Sequence, residues 1–208
     1  MKRIAITQRL IENDSYYEVR DALDVRWAQL LGKLGWLPVI LPTAFDFGEY
    51  FRSFKIDGVV LSGGNDLALH SDSSLSRKRD AFEMGIIKFA LNNDIPVFGI
   101  CRGMQILAQY FNCTFKKIDG HVGSRHKLVN SDRSRYKDDL AKLNEVNSFH
   151  NYGIDIVHDD LIVSARSEDD AVEAIEHKHY KVFGQMWHSE RETPFSDVEL
   201  NIISKFFN

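Results

Sequence analysis

An unbroken apolar run over residues 95–100 stops at a single cysteine, and a helical pattern begins on its far side. Met104, Leu107, Ala108 and Phe111 recur at helix spacing after Cys101, with Gly99 two positions before the thiol and Gly103 two after it. A strand that turns this abruptly into a helix strains the backbone at its apex and crowds the flanking positions, where a residue without a side chain fits best. The turn lifts the sulfur clear of the sheet, beside backbone amides and the positive end of a helix, and both favour a thiolate. Residues 95–105 are therefore expected to form a nucleophile elbow. A free cysteine is otherwise most often a small buried hydrophobe, so this assignment rests on partners elsewhere in the chain.

Short apolar runs alternate with helical patterns through the first half of the sequence. Residues 3–7, 37–41, 58–61 and 95–100 read as strands, and residues 22–34 and 77–91 as helices, the first of them ended by Gly35. Strand and helix alternating at this spacing predict right-handed βαβ units, hence an α/β three-layer sandwich with a mainly parallel central sheet flanked by helices. Ligands on such sheets bind at the carboxyl ends of the strands. Cys101 falls at one such end and Ser62-Gly63-Gly64 at another. Residues 119–139 are polar with mixed charge and read as a long loop with a hairpin at most, the kind of segment that often serves as a lid. Residues 160–165, 171–175 and 182–187 read as strands. Residues 197–207 read as a closing helix capped by Ser196. No repeat or linker interrupts the 208 residues, so a single domain over 1–208 is expected.

Composition narrows the function. A net charge of −4 offers no electrostatic footprint for nucleic acid. No apolar run approaches the roughly 20 residues that cross a bilayer, and the first residues lack a signal-peptide apolar region. With only Cys101 and Cys113, a disulfide framework is not expected, and a reducing cytoplasm suits the free thiol.

A thiolate nucleophile needs a base, and the base an orienting group. Among eight histidines, His188 stands out because it ends a strand and Glu190 follows two positions later. In an extended segment the two side chains share a face, so Glu190 is placed to hold one imidazole nitrogen while the other faces Cys101. The same tripeptide also fits a solvated loop. The backbone amides of Gly64 and Arg102 are candidates for an oxyanion hole. The glycine pair fits a simple strand-ending turn as well.

Three groups of residues together resemble the class I glutamine amidotransferase-like proteins: Gly99-Ile-Cys-Arg-Gly-Met-Gln105, Ser62-Gly63-Gly64 and the late His188-Ser189-Glu190. Leu61-Ser-Gly-Gly-Asn-Asp66, Arg79-Asp-Ala-Phe-Glu83 and Val146-Asn-Ser-Phe-His150 are similar to the gamma-glutamyl hydrolase-type branch, which includes hydrolases of gamma-glutamyl-gamma-aminobutyrate. The resemblance covers nearly the whole chain and implies a flavodoxin-like sheet. It also implies a Cys101-His188-Glu190 triad that cleaves a gamma-glutamyl amide through a glutamyl thioester. L-glutamate and an amine or phosphoramidate leave, and no cofactor is required. It sets Gln105, Asn147, Ser148, Phe149 and His150 around the glutamyl group, His150 fitting a packed pocket residue equally well. Glu83 reads either as a structural charge partner or as a substrate ligand.

The chain departs from relatives after Asp66, where it reads Leu-Ala-Leu-His70, and at Phe111-Asn-Cys-Thr-Phe115, where Cys113 reads as a buried bystander. His121 and His126 lack further ligands at metal spacing, so no metal site is expected. Arg125, Lys127, Arg133, Arg135 and Lys137 read either as groups that meet an anionic leaving group or, with Asp132, Asp138 and Asp139 among them, as a solvated charge run. The expected partner is a small gamma-glutamyl substrate, with no nucleic acid and no membrane; a homodimer is compatible with the sequence. Two other functions compete: a glutaminase subunit that delivers ammonia to a synthase partner, and a non-catalytic binding module of the same fold.

Overall fold

The computed structural model describes residues 1–208. Its elements run in chain order as β1 (Arg3–Ile6), β2 (Arg9–Glu12), β3 (Val19–Ala22), α1 (Arg26–Lys33), β4 (Leu37–Ile40), α2 (Phe47–Ser53), β5 (Gly58–Leu61), α3 (Ser74–Asn92), β6 (Val97–Ile100) and α4 (Arg102–Tyr110). There follow β7 (Phe115–Lys117), β8 (Val122–Asn130), α5 (Lys137–Leu140), β9 (Glu145–Phe149), β10 (Tyr152–Ile154), β11 (Leu161–Ser167), β12 (Val172–His177), β13 (Val182–Gln185) and α6 (Asp197–Phe207).

A nine-stranded sheet has the order β4-β1-β5-β6-β13-β12-β11-β8-β9. Pairing is parallel from β4 through β13 and antiparallel from β13 onward. Strands β5 and β6 are buried along their whole length, as expected for parallel strands covered on both faces. Their side chains alternate between two cores. Val59, Leu61 and Val97 join Ile86, Ala90, Met104 and Leu107 of α3 and α4 on one face. Val60, Phe98 and Ile100 join Trp27, Leu30, Ile203 and Phe206 of α1 and α6 on the other. The three layers follow directly from that alternation. Ser196 caps α6 as expected, its side chain accepting from the Glu199 amide. No helix is long and apolar enough to cross a membrane.

The structure corrects the sequence reading in two segments. Residues 22–25 are not helical: Ala22 ends β3, which pairs antiparallel with β2, and α1 begins only at Arg26. The apolar positions of 22–34 match helix spacing, but Ala22 takes its hydrogen bonds from the hairpin. Residues 119–139 are not a loop: β8 extends the main sheet between β11 and β9, and α5 follows. In β8, Ser124, His126, Leu128 and Asn130 turn inward while Arg125, Lys127 and Val129 face solvent. A strand near a sheet edge with one solvated face carries polar residues at alternate positions, and the apolar run that marks central strands is missing.

Candidate active site

Cys101 links β6 to α4 with φ 52° and ψ −109°, a left-handed conformation that costs a non-glycine residue about 1–3 kcal/mol and persists only where surrounding packing enforces it. The packing is tight on both sides. A Cβ on Gly99 would lie 2.4 Å from the Gly103 carbonyl oxygen, and a Cβ on Gly103 would lie 2.0 Å from that of Leu61. The two flanking glycines therefore let α4 press against β6 and β5, and the expected elbow is present. Cys101 is only 7% exposed.

His188 follows β13, the parallel neighbour of β6 in the sheet, so adjacent strand ends carry the two side chains. Its Nδ1 lies 2.6 Å from Glu190 Oε1, and both side chains are buried. The expected means differs from the observed one: His188 is extended, but Ser189–Arg191 form a turn of 3₁₀ helix that folds Glu190 back onto the imidazole. Burial alone would lower the His188 pKa. Interaction with the Cys101 sulfur and with the Glu190 carboxylate outweighs it, and the imidazole is pushed up to about 9.

The Ser62-Gly63-Gly64 turn after β5 completes this group. A Cβ on Gly63 would meet His188 Cε1 at 2.7 Å and Cys101 Cβ at 3.5 Å, so the turn passes directly against both side chains. Gly64 has φ +84°, which suits only glycine well. Arg102 opens α4, where first-turn amides have no intrahelical acceptor.

Beneath the site lies a buried charge network, of which the sequence reading names only Glu83 as a charge partner. Arg79 donates to the carbonyls of Ser62 at 2.7 Å and Gly63 at 3.1 Å, and to Glu83 at 3.1 Å. Glu83 also accepts from the Thr7 hydroxyl at 2.6 Å and pairs with the Arg102 guanidinium, which in turn pairs with Asp80. Glu83 is therefore a structural charge partner, with no exposed surface for substrate. Burial pushes its carboxyl up, but the guanidiniums of Arg102 and Arg79 prevail and hold it below its usual value. The network ties the glycine turn to the elbow. The pattern Arg79-Asp80-Glu83 on a helix was its only sequence signal.

Two cavities flank His188. One, of about 270 Å³, is lined by Gly64, Cys101, Gln105, Phe149, His150 and Tyr152, among others. The other, of about 320 Å³, is lined by Arg9, Trp27, Gly63, Gly64, Glu190 and Arg191, among others. Gln105, Phe149 and His150 thus share a cavity with Cys101. Gln105 Nε2 donates to the Tyr152 carbonyl at 2.9 Å, and the Tyr152 ring stacks on His70 with centroids 3.7 Å apart. The unusual stretch after Asp66 supports that wall.

Asn147 and Ser148 line neither cavity. The Asn147 side chain is spent on the backbone of His188 and on Glu192, and the Ser148 hydroxyl donates to the His121 carbonyl at 2.8 Å. The basic residues of 119–139 do not meet there either. Arg135 pairs with Glu176 at 2.7 Å, Arg125 with Glu192 at 2.9 Å, and none of the five lines either cavity. Arg9 and Arg191 supply positive charge there instead. Cys113 is buried and free, and burial pushes its thiol up. His121 and His126, read as lacking partners, instead meet His150 and Glu173.

The chain is similar to several known proteins. Residues 4–190 match the family described as peptidase C26. The chain is 38% identical over 200 residues to a gamma-glutamyl-CDP-amidate hydrolase of Campylobacter jejuni, covering 95% of this chain and 94% of that one. It is 26% identical to anthranilate synthase component 2 of Saccharolobus solfataricus over 78% of its own length and 82% of the relative's. The solved structure of a glutamine amidotransferase from Thermotoga maritima superposes with a TM-score of 0.70 at 15% identity, covering 98% of this chain and 83% of that one.

Proposed function

This chain belongs to the peptidase C26 family, and on that premise we propose that it is a cysteine-dependent hydrolase of gamma-glutamyl amides. The observation that carries the reading is the His188 imidazole held 2.6 Å from buried Glu190 and raised in pKa by the Cys101 sulfur.

The Cys101 thiolate attacks the delta-carbonyl of the glutamyl group and forms a tetrahedral intermediate. The amides of Gly64 and Arg102 stabilise its oxyanion, an effect of about 3–4 kcal/mol per donor in comparable acyl transfers. The C–N bond breaks as the His188 imidazolium gives its proton to the departing nitrogen, leaving a glutamyl thioester. Neutral His188 then takes a proton from water, the hydroxide adds to the thioester, and L-glutamate leaves as the thiolate is restored. Glu190 keeps His188 oriented and stabilises its charged form. Gln105, Phe149 and His150 line the cavity that takes the glutamyl group.

The leaving group occupies the second cavity. Its carboxylates are engaged, Asp24 by Arg26 and Glu190 by His188, and its two guanidiniums, Arg9 and Arg191, suit an anionic diphosphate, which favours a nucleotide phosphoramidate such as CDP-amidate over a neutral amine. The relative from Campylobacter jejuni carries that activity in its name.

The test is glutamate release by the chain alone from gamma-glutamyl-CDP-amidate, gamma-glutamyl-gamma-aminobutyrate and glutamine. Turnover of the CDP conjugate by wild type, with none by Cys101→Ala, is the expected result. Arg9→Ala raises KM for the CDP conjugate about tenfold or more, in line with loss of one charged hydrogen bond, and leaves glutamine, whose leaving group carries no anionic group, unaffected. Hydrolysis of glutamine only in the presence of a synthase partner would overturn this reading in favour of an ammonia-delivering glutaminase.

A further inference from the structure

Four side chains from separate segments converge behind the cavity wall. His121 precedes β8, His126 lies on β8, His150 follows β9, and Glu173 lies on β12. His121 Nδ1, His150 Nε2 and Glu173 Oε1 are each 3.4 Å from the other two, and His126 Nε2 lies 3.4 Å from the same carboxylate oxygen. His121, His150 and Glu173 are at most 4% exposed. Neither Glu173 oxygen has a hydrogen-bond partner, nor does His126 Nε2.

The spacings among His121, His150 and Glu173 match those of ligands around one metal ion. A tetrahedral zinc ion with bonds of about 2.0–2.1 Å sets neighbouring donor atoms about 3.3–3.4 Å apart. The far ring nitrogens are already committed. His121 Nε2 lies 3.0 Å from Asp169 Oδ2, and His150 Nδ1 donates to the Tyr152 carbonyl at 3.2 Å. A metal-bound histidine characteristically gives its other N–H to a carboxylate or a carbonyl, which fixes the tautomer and turns a lone pair toward the metal. In that tautomer, two imidazole lone pairs and a buried carboxylate face one point. Burying an isolated carboxylate is costly unless a charge or a metal offsets it.

We propose that His121, His150 and Glu173 bind one zinc ion, with His126 beside Glu173 as the next donor, in a structural site that braces the substrate cavity. Two imidazoles and one carboxylate are a nitrogen and oxygen set suited to zinc, and His126, already 3.4 Å from the Glu173 oxygen, closes the fourth position once its ring moves toward the other two donors. The consequence for the cavity is specific. His150 lines it, and the carbonyl that receives the His150 Nδ1–H also receives Gln105 Nε2. The His121 carbonyl accepts from the His150 amide at 2.9 Å and from Ser148 Oγ at 2.8 Å. Zinc thus ties β8 and β9 to β12 and holds the wall that carries His150 and Tyr152.

The test uses the full chain, purified without metal-affinity steps. Elemental analysis is expected to find one zinc per chain. Protein stripped with a strong chelator loses thermal stability, regains it with zinc, and takes up one Co²⁺ with the visible absorption of tetrahedral cobalt. Asp169→Asn, on an exposed carboxylate, weakens zinc binding about 10–100-fold, while Glu173→Gln abolishes cobalt uptake. The cobalt spectrum persists in Cys101→Ser, which separates this site from the nucleophile and the result from the hydrolase reading. Wild-type protein without zinc whose melting temperature ignores added zinc would overturn the proposal. So would a cobalt spectrum that survives Glu173→Gln and disappears in Cys101→Ser.

Discussion

Asn147 clasps the backbone of His188 at both ends: its Oδ1 accepts from the His188 amide at 2.9 Å and its Nδ2 donates to the His188 carbonyl at 2.9 Å. The side chain belongs to β9, at the far edge of the sheet, so it pins His188 from outside the strand that leads to it. Removing it frees the segment that sets the direction of the imidazole. Displacement of a catalytic group by about 1 Å costs on the order of 10²-fold in rate. Asn147→Ala is therefore expected to lower kcat about 10²-fold with KM changed less than about threefold. Steady-state kinetics decide it: a raised KM with unchanged kcat would return Asn147 to the substrate site.

Protonation of His188 sets the alkaline limit of the proposed reaction. Burial opposes its charge, yet the Cys101 sulfur and Glu190 hold the pKa at about 9. A raised basic group keeps its proton until the pH passes that value, so the acid that serves the leaving nitrogen is present at neutral pH and lost as the pH rises through about 9. Glu190→Gln removes one of the raising charges, and the basic limb of kcat/KM is expected to move down by about 1–2 units. A limb that stays in place in the variant would show that Glu190 does not stabilise the imidazolium.

Gly103 has no room for a methyl group. Its added Cβ would lie 2.0 Å from the Leu61 carbonyl oxygen, which is backbone and cannot swing away. Overpacking a core typically costs about 1–3 kcal/mol, occasionally more, and a backbone clash belongs at the upper end. Gly103→Ala is expected to lower the unfolding free energy by at least that amount, read from the shift of the urea midpoint. Gly32→Ala, where nothing lies within 4 Å, is a control expected to stabilise α1 slightly.

Glu199 gives stability an opposite pH dependence from that of an ordinary surface carboxylate. Burial, with Glu192 and Glu190 nearby, raises its pKa from 4.5 to about 7. A raised carboxyl contributes its full stability below the unfolded value and loses it as the pH climbs through the folded one, here between about 4.5 and 7. Glu199→Gln is expected to raise stability at pH 8, by at most about 3.4 kcal/mol at 1.36 kcal/mol per unit, and to change little at pH 4. Denaturation at the two pH values reads the difference, and equal effects at both would rule out ionisation as the cause.

Much of the site was written into consecutive residues. The elbow at Cys101 was legible because one short segment contains the whole constraint: an apolar strand, two glycines and a helix. His188 and Glu190 were legible for a related reason, since two positions along the chain cannot separate far. The sheet core was equally plain, because strands covered on both faces are continuously apolar. Strand β8 was not, because its solvated face interrupts the apolar pattern. The β2–β3 hairpin was hidden because its last residue also matches the period of the helix that follows.

Residues distant in sequence were assembled only by the tertiary structure. Nothing in Asn147 as a letter says that its amide faces His188 rather than a substrate; the antiparallel half of the sheet decides that. Glu83 could have been a ligand until Thr7, Arg79 and Arg102 were seen to enclose it. The cluster of His121, His126, His150 and Glu173 joins a loop, two strands and the residue after a third, so no local spacing announces it. Local chemistry is readable from sequence because bond lengths bound how far neighbouring residues can part. Burial, partnership and charge balance are properties of packing, and only the folded chain supplies them.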